Sequence, residues 1–136
     1  MDVTLSVLAD YANITQDGKL NIMGVFTEVN PPELPFALPM MFLVTIYTAS
    51  PAEVGSEKAL RVTLLDGDGK QLMNLETPIT VPKPIRAGSR VQLNSVIGLG
   101  GVRFDKAGDY QFSILVGGEE KKSLPLHVNN PENRGA

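Results

Sequence analysis

From one end of this chain to the other, apolar and polar residues alternate with a period of two, and no stretch longer than a turn or two repeats at helical spacing. That period puts successive side chains on opposite faces of an extended backbone, so the chain is committed to sheets. Val3, Leu5, Val7 and Ala9 alternate with Thr4 and Ser6 and predict a first strand. Gln16-Asp17-Gly18 supplies reversing-turn chemistry, and residues 19–29 run on as a second strand. Pro31, Pro32, Pro35 and Pro39 then crowd one short segment. Proline has no N–H to give to a ladder, so this segment reads as a crossing between sheet edges.

Residues 40–49 make the most apolar strand, which is expected at the centre of a sheet. Ser50-Pro51-Ala52-Glu53 has the pattern of a capped helical turn, and Gly55 stops it. Leu60, Val62 and Leu64 share one face of the next strand, and Asp66-Gly67-Asp68-Gly69 closes a hairpin into residues 70–81. Pro82 and Pro84 end that run. Val91, Leu93, Ile97 and Leu99 mark another strand, and Tyr110, Phe112, Ile114 and Val116 the one after it. Leu124, Leu126 and Val128 mark the last, joined to its predecessor through Gly117-Gly118-Glu119-Glu120.

About eight short strands with regular turn signals predict an all-β, antiparallel, immunoglobulin-like sandwich. The expected organisation is a single domain over residues 1–128 and a loosely ordered polar tail over residues 129–136. A barrel shares much of this pattern. The sandwich is favoured by Asp105-Lys106-Ala107-Gly108-Asp109-Tyr110, which resembles the corner of immunoglobulin-like domains where a tyrosine opening the penultimate strand bonds back to the preceding turn. Antibody-type domains carry a disulfide cysteine two residues on. Phe112 stands there instead, and the chain has neither cysteine nor tryptophan.

At 136 residues the chain has room for one domain with a sizeable core, so no disulfide or metal is needed to hold it together. The absence of cysteine points to a reducing compartment. Asp2 and Asp10 bracket an alternating N-terminal segment that lacks the basic and continuous apolar regions of a signal peptide. The apolar run over residues 40–47 contains Thr45 and is too short to span a bilayer. A net charge of −3 without a basic cluster gives no electrostatic footprint for nucleic acid or anionic lipid. A cytoplasmic protein with no nucleic-acid or membrane partner is expected.

Catalytic chemistry finds little to work with. His127, the only histidine, lies between Leu126 and Val128 and by alternation faces away from the core. No cysteine can pair with it, and no Gly-x-Ser-x-Gly elbow is present. Zinc lacks its usual ligands, no cofactor motif stands out, and no enzyme activity is expected. Gly98-Leu99-Gly100-Gly101 is glycine-rich, but Arg103 stands where a dinucleotide fingerprint wants glycine, so a bulge or bend in a strand is the better reading. Asp66-Gly67-Asp68-Gly69 resembles the opening of a calcium loop. Counted from Asp66, Gln71 replaces the glycine at the sixth position and Thr77 the glutamate at the twelfth. A looser calcium or small-ligand site at one end of the sandwich would draw on Asp66, Asp68, Asp105 and Asp109.

The remaining signal is an excess of apolar surface. A strand of a two-layer sandwich should show one apolar face and one polar face. Residues 40–47 do not: Met40, Phe42, Val44 and Ile46 lie on one face, and Met41, Leu43 and Tyr47 on the other. The second strand opposes Leu20, Ile22 and Phe26 to Met23, Val25 and Val29. Either the proline segment or the N-terminal hairpin folds over the surplus, or the surplus is a docking face for a protein partner or a second copy of the chain. Met41, Leu43, Tyr47, Met23 and Val25 are the candidate face residues on the second reading, in which the chain is a non-catalytic interaction module. A calcium- or small-ligand-binding sandwich using its end loops is the alternative.

The run Asp10-Tyr11-Ala12-Asn13-Ile14-Thr15-Gln16-Asp17-Gly18-Lys19-Leu20-Asn21-Ile22-Met23-Gly24-Val25-Phe26 resembles the N-terminal signature D-Y-A-N-x-T-x-D-G-K-L-N-I-x-G-x-F of an uncharacterised family of small bacterial all-β proteins, a domain of unknown function. The resemblance extends through the proline segment and into the Asp66-Gly67-Asp68-Gly69-Lys70 hairpin. It implies membership and brings no activity, ligand or site. Physically, Asp10 and Asn13 suit turns, Asp17-Gly18 reverses the chain, and Gly24 permits a close approach or bulge. Tyr11 is the one member whose hydroxyl has no evident folding role.

Overall fold

Nine strands carry almost the whole chain in the computed structural model, which describes residues 1–133. They are β1 (Asp2–Ile14), β2 (Leu20–Phe26), β3 (Glu28–Val29), β4 (Phe36–Ala49), β5 (Glu57–Leu65), β6 (Gln71–Thr80), β7 (Val91–Phe104), β8 (Gly108–Val116) and β9 (Glu119–Val128). They form two sheets, β2-β1-β4-β7 and β3-β9-β8-β5-β6, packed as an immunoglobulin-like sandwich. β4 occupies an interior position between β1 and β7, as its composition predicts.

Two features depart from the sequence reading. The second strand divides: β2 stays in the four-stranded sheet, the chain crosses at Thr27, and β3 joins the other sheet. β3 runs parallel to β9, with Glu28 opposite His127 and Val29 opposite Val128, so the sandwich is not wholly antiparallel. A two-residue segment entering from the opposite sheet has no hairpin to force it antiparallel. The His127 N–H donates to the Thr27 carbonyl at 2.9 Å and the Asn129 N–H to the Val29 carbonyl at 2.9 Å, which secures the crossing. Second, β4 begins at Phe36 and includes Pro39. Pro39 lies past the last β1–β4 pair, Ala9 with Phe42, and faces Gly101, whose φ of 70° already interrupts the β4–β7 ladder. The missing N–H costs little there.

The core lies between the sheets. Leu8, Met41, Leu43, Tyr47, Leu99 and Phe104 meet Leu60, Val62, Leu64, Phe112, Ile114 and Leu126, all buried. Each large apolar side chain of this kind contributes about 1.5–3 kcal/mol on burial. Tyr110 forms the expected corner: its Oη donates to the Lys106 carbonyl at 2.6 Å, and its ring meets Phe104 edge-on with centroids 5.0 Å apart. The capped turn is a 3-10 segment at Pro51–Glu53. Asn129, the first residue of the polar tail, is held to the body of the fold: its Nδ2 donates to Asn30 Oδ1 at 2.7 Å and to Glu28 Oε2 at 3.2 Å. Residues 134–136 lie outside the described residues.

Candidate functional site

The β1–β2 hairpin decides what the outside of the four-stranded sheet looks like. β1 pairs with β4 from Asp2 opposite Thr48 to Ala9 opposite Phe42, moving steadily away from Ile46. Yet Gly18, at the hairpin tip, accepts a 3.0 Å hydrogen bond through its carbonyl from Asn94 Nδ2, and Asn94 lies on β7 opposite Ile46. A flat continuation of β1 would carry the tip far beyond the other end of the sheet. The hairpin therefore bends after Ala9 and doubles back over the outside of β4. The bend sits where Gly24, at a φ of 69°, faces Asp10; a Cβ at Gly24 would run into the Asp10 carboxylate, so glycine is required. At the tip, Gly18 at a φ of 87° closes the turn with its N–H on the Thr15 carbonyl.

This doubling back answers the question of the two-faced apolar strand. Ala9, Ala12 and Val44 are buried without joining the inter-sheet core, as residues beneath the folded-back arm should be. Phe42 is half-buried and meets Tyr11 edge-on, ring centroids 5.4 Å apart at 72°. That stacking is the folding role of Tyr11, and it belongs to the ring; the hydroxyl makes only a long 3.5 Å contact with Asn13 Nδ2. The arm does not cover everything. Tyr11, Met23, Val25 and Met40 remain 47%, 64%, 58% and 48% exposed, a large apolar surplus for one side of a small sheet. Tyr11 pairs with Met23 and Ala9 with Val25 across the β1–β2 ladder, while Met40 and Phe42 lie side by side over Gly98. Tyr11 and Met40 thus flank Phe42, and Met23 and Val25 lie on β2, opposite Tyr11 and Ala9 of β1.

The candidate face residues consequently separate. Met23 and Val25 are on the surface as expected. Met41, Leu43 and Tyr47 are core residues, 0%, 1% and 1% exposed, and cannot belong to a docking face. The correction is one of parity: the odd-numbered residues of β4 point between the sheets and the even-numbered ones outward. Ser6 and Thr45 show the same inward parity, their hydroxyls 3.2 Å apart in the interior. Met40 and Tyr11 were missed. Gly98 and Gly100 on β7 hold a signal that finds them, because they sit opposite Phe42 and Met40 and leave room for large outward side chains. Tyr47 Oη is buried without a hydrogen-bond partner. Desolvation pushes this phenol up to about 12, and the nearby Thr45 hydroxyl, which pulls the other way, does not reach hydrogen-bond geometry.

The four loop carboxylates are brought to one end of the sandwich but each has its own partner. Asp66 Oδ1 accepts from the backbone N–H of Asp68 and of Lys70, both at 2.9 Å, which holds its carboxyl below the ordinary range. Asp68 Oδ2 receives Lys106 Nζ at 3.0 Å, Asp105 pairs with Arg103 Nε at 2.7 Å, and Asp109 with His127 Nδ1 at 2.7 Å. Asp68 draws the Lys106 ammonium pKa upward. A built-in cation thus bridges the two loops where a metal was the alternative expectation. Among the described residues no group of three or more His, Asp or Glu side chains could hold a metal ion. The His127–Asp109 pair is two-thirds of a hydrolytic triad in composition only. It lies exposed on the outer face of the five-stranded sheet, with no hydroxyl hydrogen-bonded to the imidazole among the described residues.

Fold and surface together define an immunoglobulin-like sandwich whose loop carboxylates each have a partner and most of whose exposed large apolar residues lie on the four-stranded sheet. The chain belongs to DUF6941, a family of unknown function, whose family model matches residues 4–129. No curated protein matches it significantly in sequence. Among solved structures, the chain is similar at 14% identity to an immunoglobulin-like protein from Pseudomonas aeruginosa, with a TM-score of 0.43 over 90% of this chain and 91% of that one. It is also similar at 14% identity to the Pseudomonas fluorescens alkylpurine DNA glycosylase AlkC bound to DNA containing an abasic site analog, with a TM-score of 0.47 over 76% of this chain. The chain spans 27% of that glycosylase. Among the described residues no helix is long and apolar enough to cross a membrane.

Proposed function

We propose that this chain is a non-catalytic, cytoplasmic protein-interaction module of bacteria that docks an uncharged protein surface against the outside of its four-stranded sheet. One observation carries the reading: Tyr11, Met23, Val25 and Met40, from the three adjacent strands β1, β2 and β4, all stand exposed, with Tyr11 and Met40 flanking Phe42. Methionine and tyrosine suit such a role, since a thioether adapts its shape and a phenol tolerates both water and apolar contact. The paired loop carboxylates and the solvent-facing histidine favour a binding role over a chemical one.

A photo-crosslinking residue placed at position 23, compared in cells with the same residue at position 76 on the opposite sheet, tests this. Discrete protein adducts from position 23 and none from position 76 support the reading. Equal adducts from both positions, or none from position 23, contradict it.

A further inference from the structure

β2 is an edge strand with one side paired to β1 and, among the described residues, no strand along its other side. The hairpin closes with the Thr15 N–H donating to the Lys19 carbonyl. Antiparallel alternation then directs the ladder groups of Asn21 and Met23 towards β1 and those of Leu20 and Ile22 outward. Exposed edges of this kind recruit further strands, and soluble proteins blunt them with charge, proline or brevity. Two of the other edges show such devices, β3 being two residues long and β6 carrying Glu76 and Pro78; β7 is uncharged over residues 91–102, but its Gly98–Val102 stretch lies beside Leu72 and Met73 of β6 and its Asn94 side chain is taken up by the Gly18 carbonyl. β2 reads Leu-Asn-Ile-Met-Gly-Val-Phe, with no charge and no proline.

We infer that β2 pairs antiparallel with β2 of a second copy of this chain about a two-fold axis, joining the two hairpins into one ladder. This rests on the reading of the same face as a docking surface, and it names the occupant. Charge is the argument for a second copy. In a two-fold interface each residue near the axis meets its own copy, so any ionised side chain there would meet a like charge. The chain carries a net charge of −3, yet β2 is neutral throughout. A neutral strand is complementary to itself. Pairing the edges satisfies the outward N–H and C=O groups and brings Met23 and Val25 of both copies together on one side of the new ladder.

Light scattering coupled to size exclusion over a concentration series tests the pairing, with wild type beside Met23→Lys/Val25→Lys and with Ile85→Lys as the control. Met23 and Val25 are exposed, so the double variant is expected to keep the wild-type melting temperature; Ile85 is fully exposed in the connection between β6 and β7. Wild type and the Ile85 variant should run at twice 14.6 kDa, and the double lysine variant at 14.6 kDa with dimerisation weakened at least about tenfold. A wild-type protein that stays at the single-chain mass, or a dimer that survives both lysines with undiminished affinity, overturns the inference. Heterologous adducts from position 23 alongside a monomeric wild type would sink the self-pairing and leave the docking face standing. No adducts and no dimer would remove both.

Discussion

The two sheets pack against one core but present opposite surfaces to solvent. On the five-stranded sheet, β8 sends Tyr110, Phe112 and Ile114 inward and β5 sends Leu60, Val62 and Leu64 inward; Gln111 and Arg61 stand exposed on the other face, while Ser113 and Thr63 beside them are polar but buried. The outward residues find polar partners: Arg61 Nε donates to Asn74 Oδ1 at 2.9 Å, Ser113 Oγ to Glu120 Oε1 at 2.8 Å, and His127 meets Asp109. In a depression on that side, between Glu57, Arg61, Glu76 and Pro78, Arg61 and Glu76 pair 3.6 Å apart. On the four-stranded sheet, β4 is apolar on both faces, and the chain spends its own hairpin on part of the outer one. A strand with two apolar faces needs a cover on each, and here the second cover is incomplete.

The sharpest way to break that contrast is to substitute the two faces of the same strand. Leu43→Ala, on the inner face, should cost about 2–5 kcal/mol in chemical denaturation, as a buried leucine truncation does. Met40→Ala, on the outer face, should stay within about 1 kcal/mol. Equal costs would mean that the outer residue is as enclosed as the core and that the surface assigned to it is internal. A second comparison uses one substitution with two signs. Tyr110→Phe removes the hydroxyl that bonds Lys106 and should lose about 1 kcal/mol. Tyr47→Phe removes a buried hydroxyl without a partner and should be neutral or gain about 1 kcal/mol. A loss at both positions would show that Tyr47 has a partner in solution.

The loop end offers a pH test. Because hydrogen bonding holds the Asp66 carboxyl below its ordinary 3.8, its stabilisation of the β5–β6 turn is complete above that pH and is lost as pH falls towards and through the lower folded value. Melting curves between pH 5 and 2 should therefore fall more steeply for wild type than for Asp66→Asn, and parallel curves would refute the assignment. The smallest effect is expected at the hairpin tip. Asn94→Ala should barely move the melting temperature, since the lost bond is near the surface, while amides of the folded-back arm exchange faster. Unchanged exchange there would show that the tip contact does not hold the arm.

Much of this was legible in the sequence, and the failures share a cause. Alternation located the strands, the Asp105–Tyr110 run located the tyrosine corner, and Asp17-Gly18 and Gly69 located two hairpins, because each of these is a local property. The inward parity of β4 was not legible. Its even-numbered residues are the more uniformly apolar set, and only the long-range return of Gly18 to Asn94 explains why such residues can face outward. The parallel pairing of β3 depends likewise on a sheet crossing that residues 19–29 do not announce. The exposure of Met23 and Val25 followed from the sequence, whereas that of Met40 and Tyr11 required the β4–β7 register and the bend at Gly24.

Residue-resolved amide exchange along β2, followed from dilute to concentrated protein, examines the uncovered edge most directly. The outward amides of Leu20 and Ile22 should gain protection as concentration rises, while those of Asn21 and Met23, already bonded to β1, change far less. Outward amides that exchange at unprotected rates at every concentration would contradict the pairing and leave β2 a bare edge.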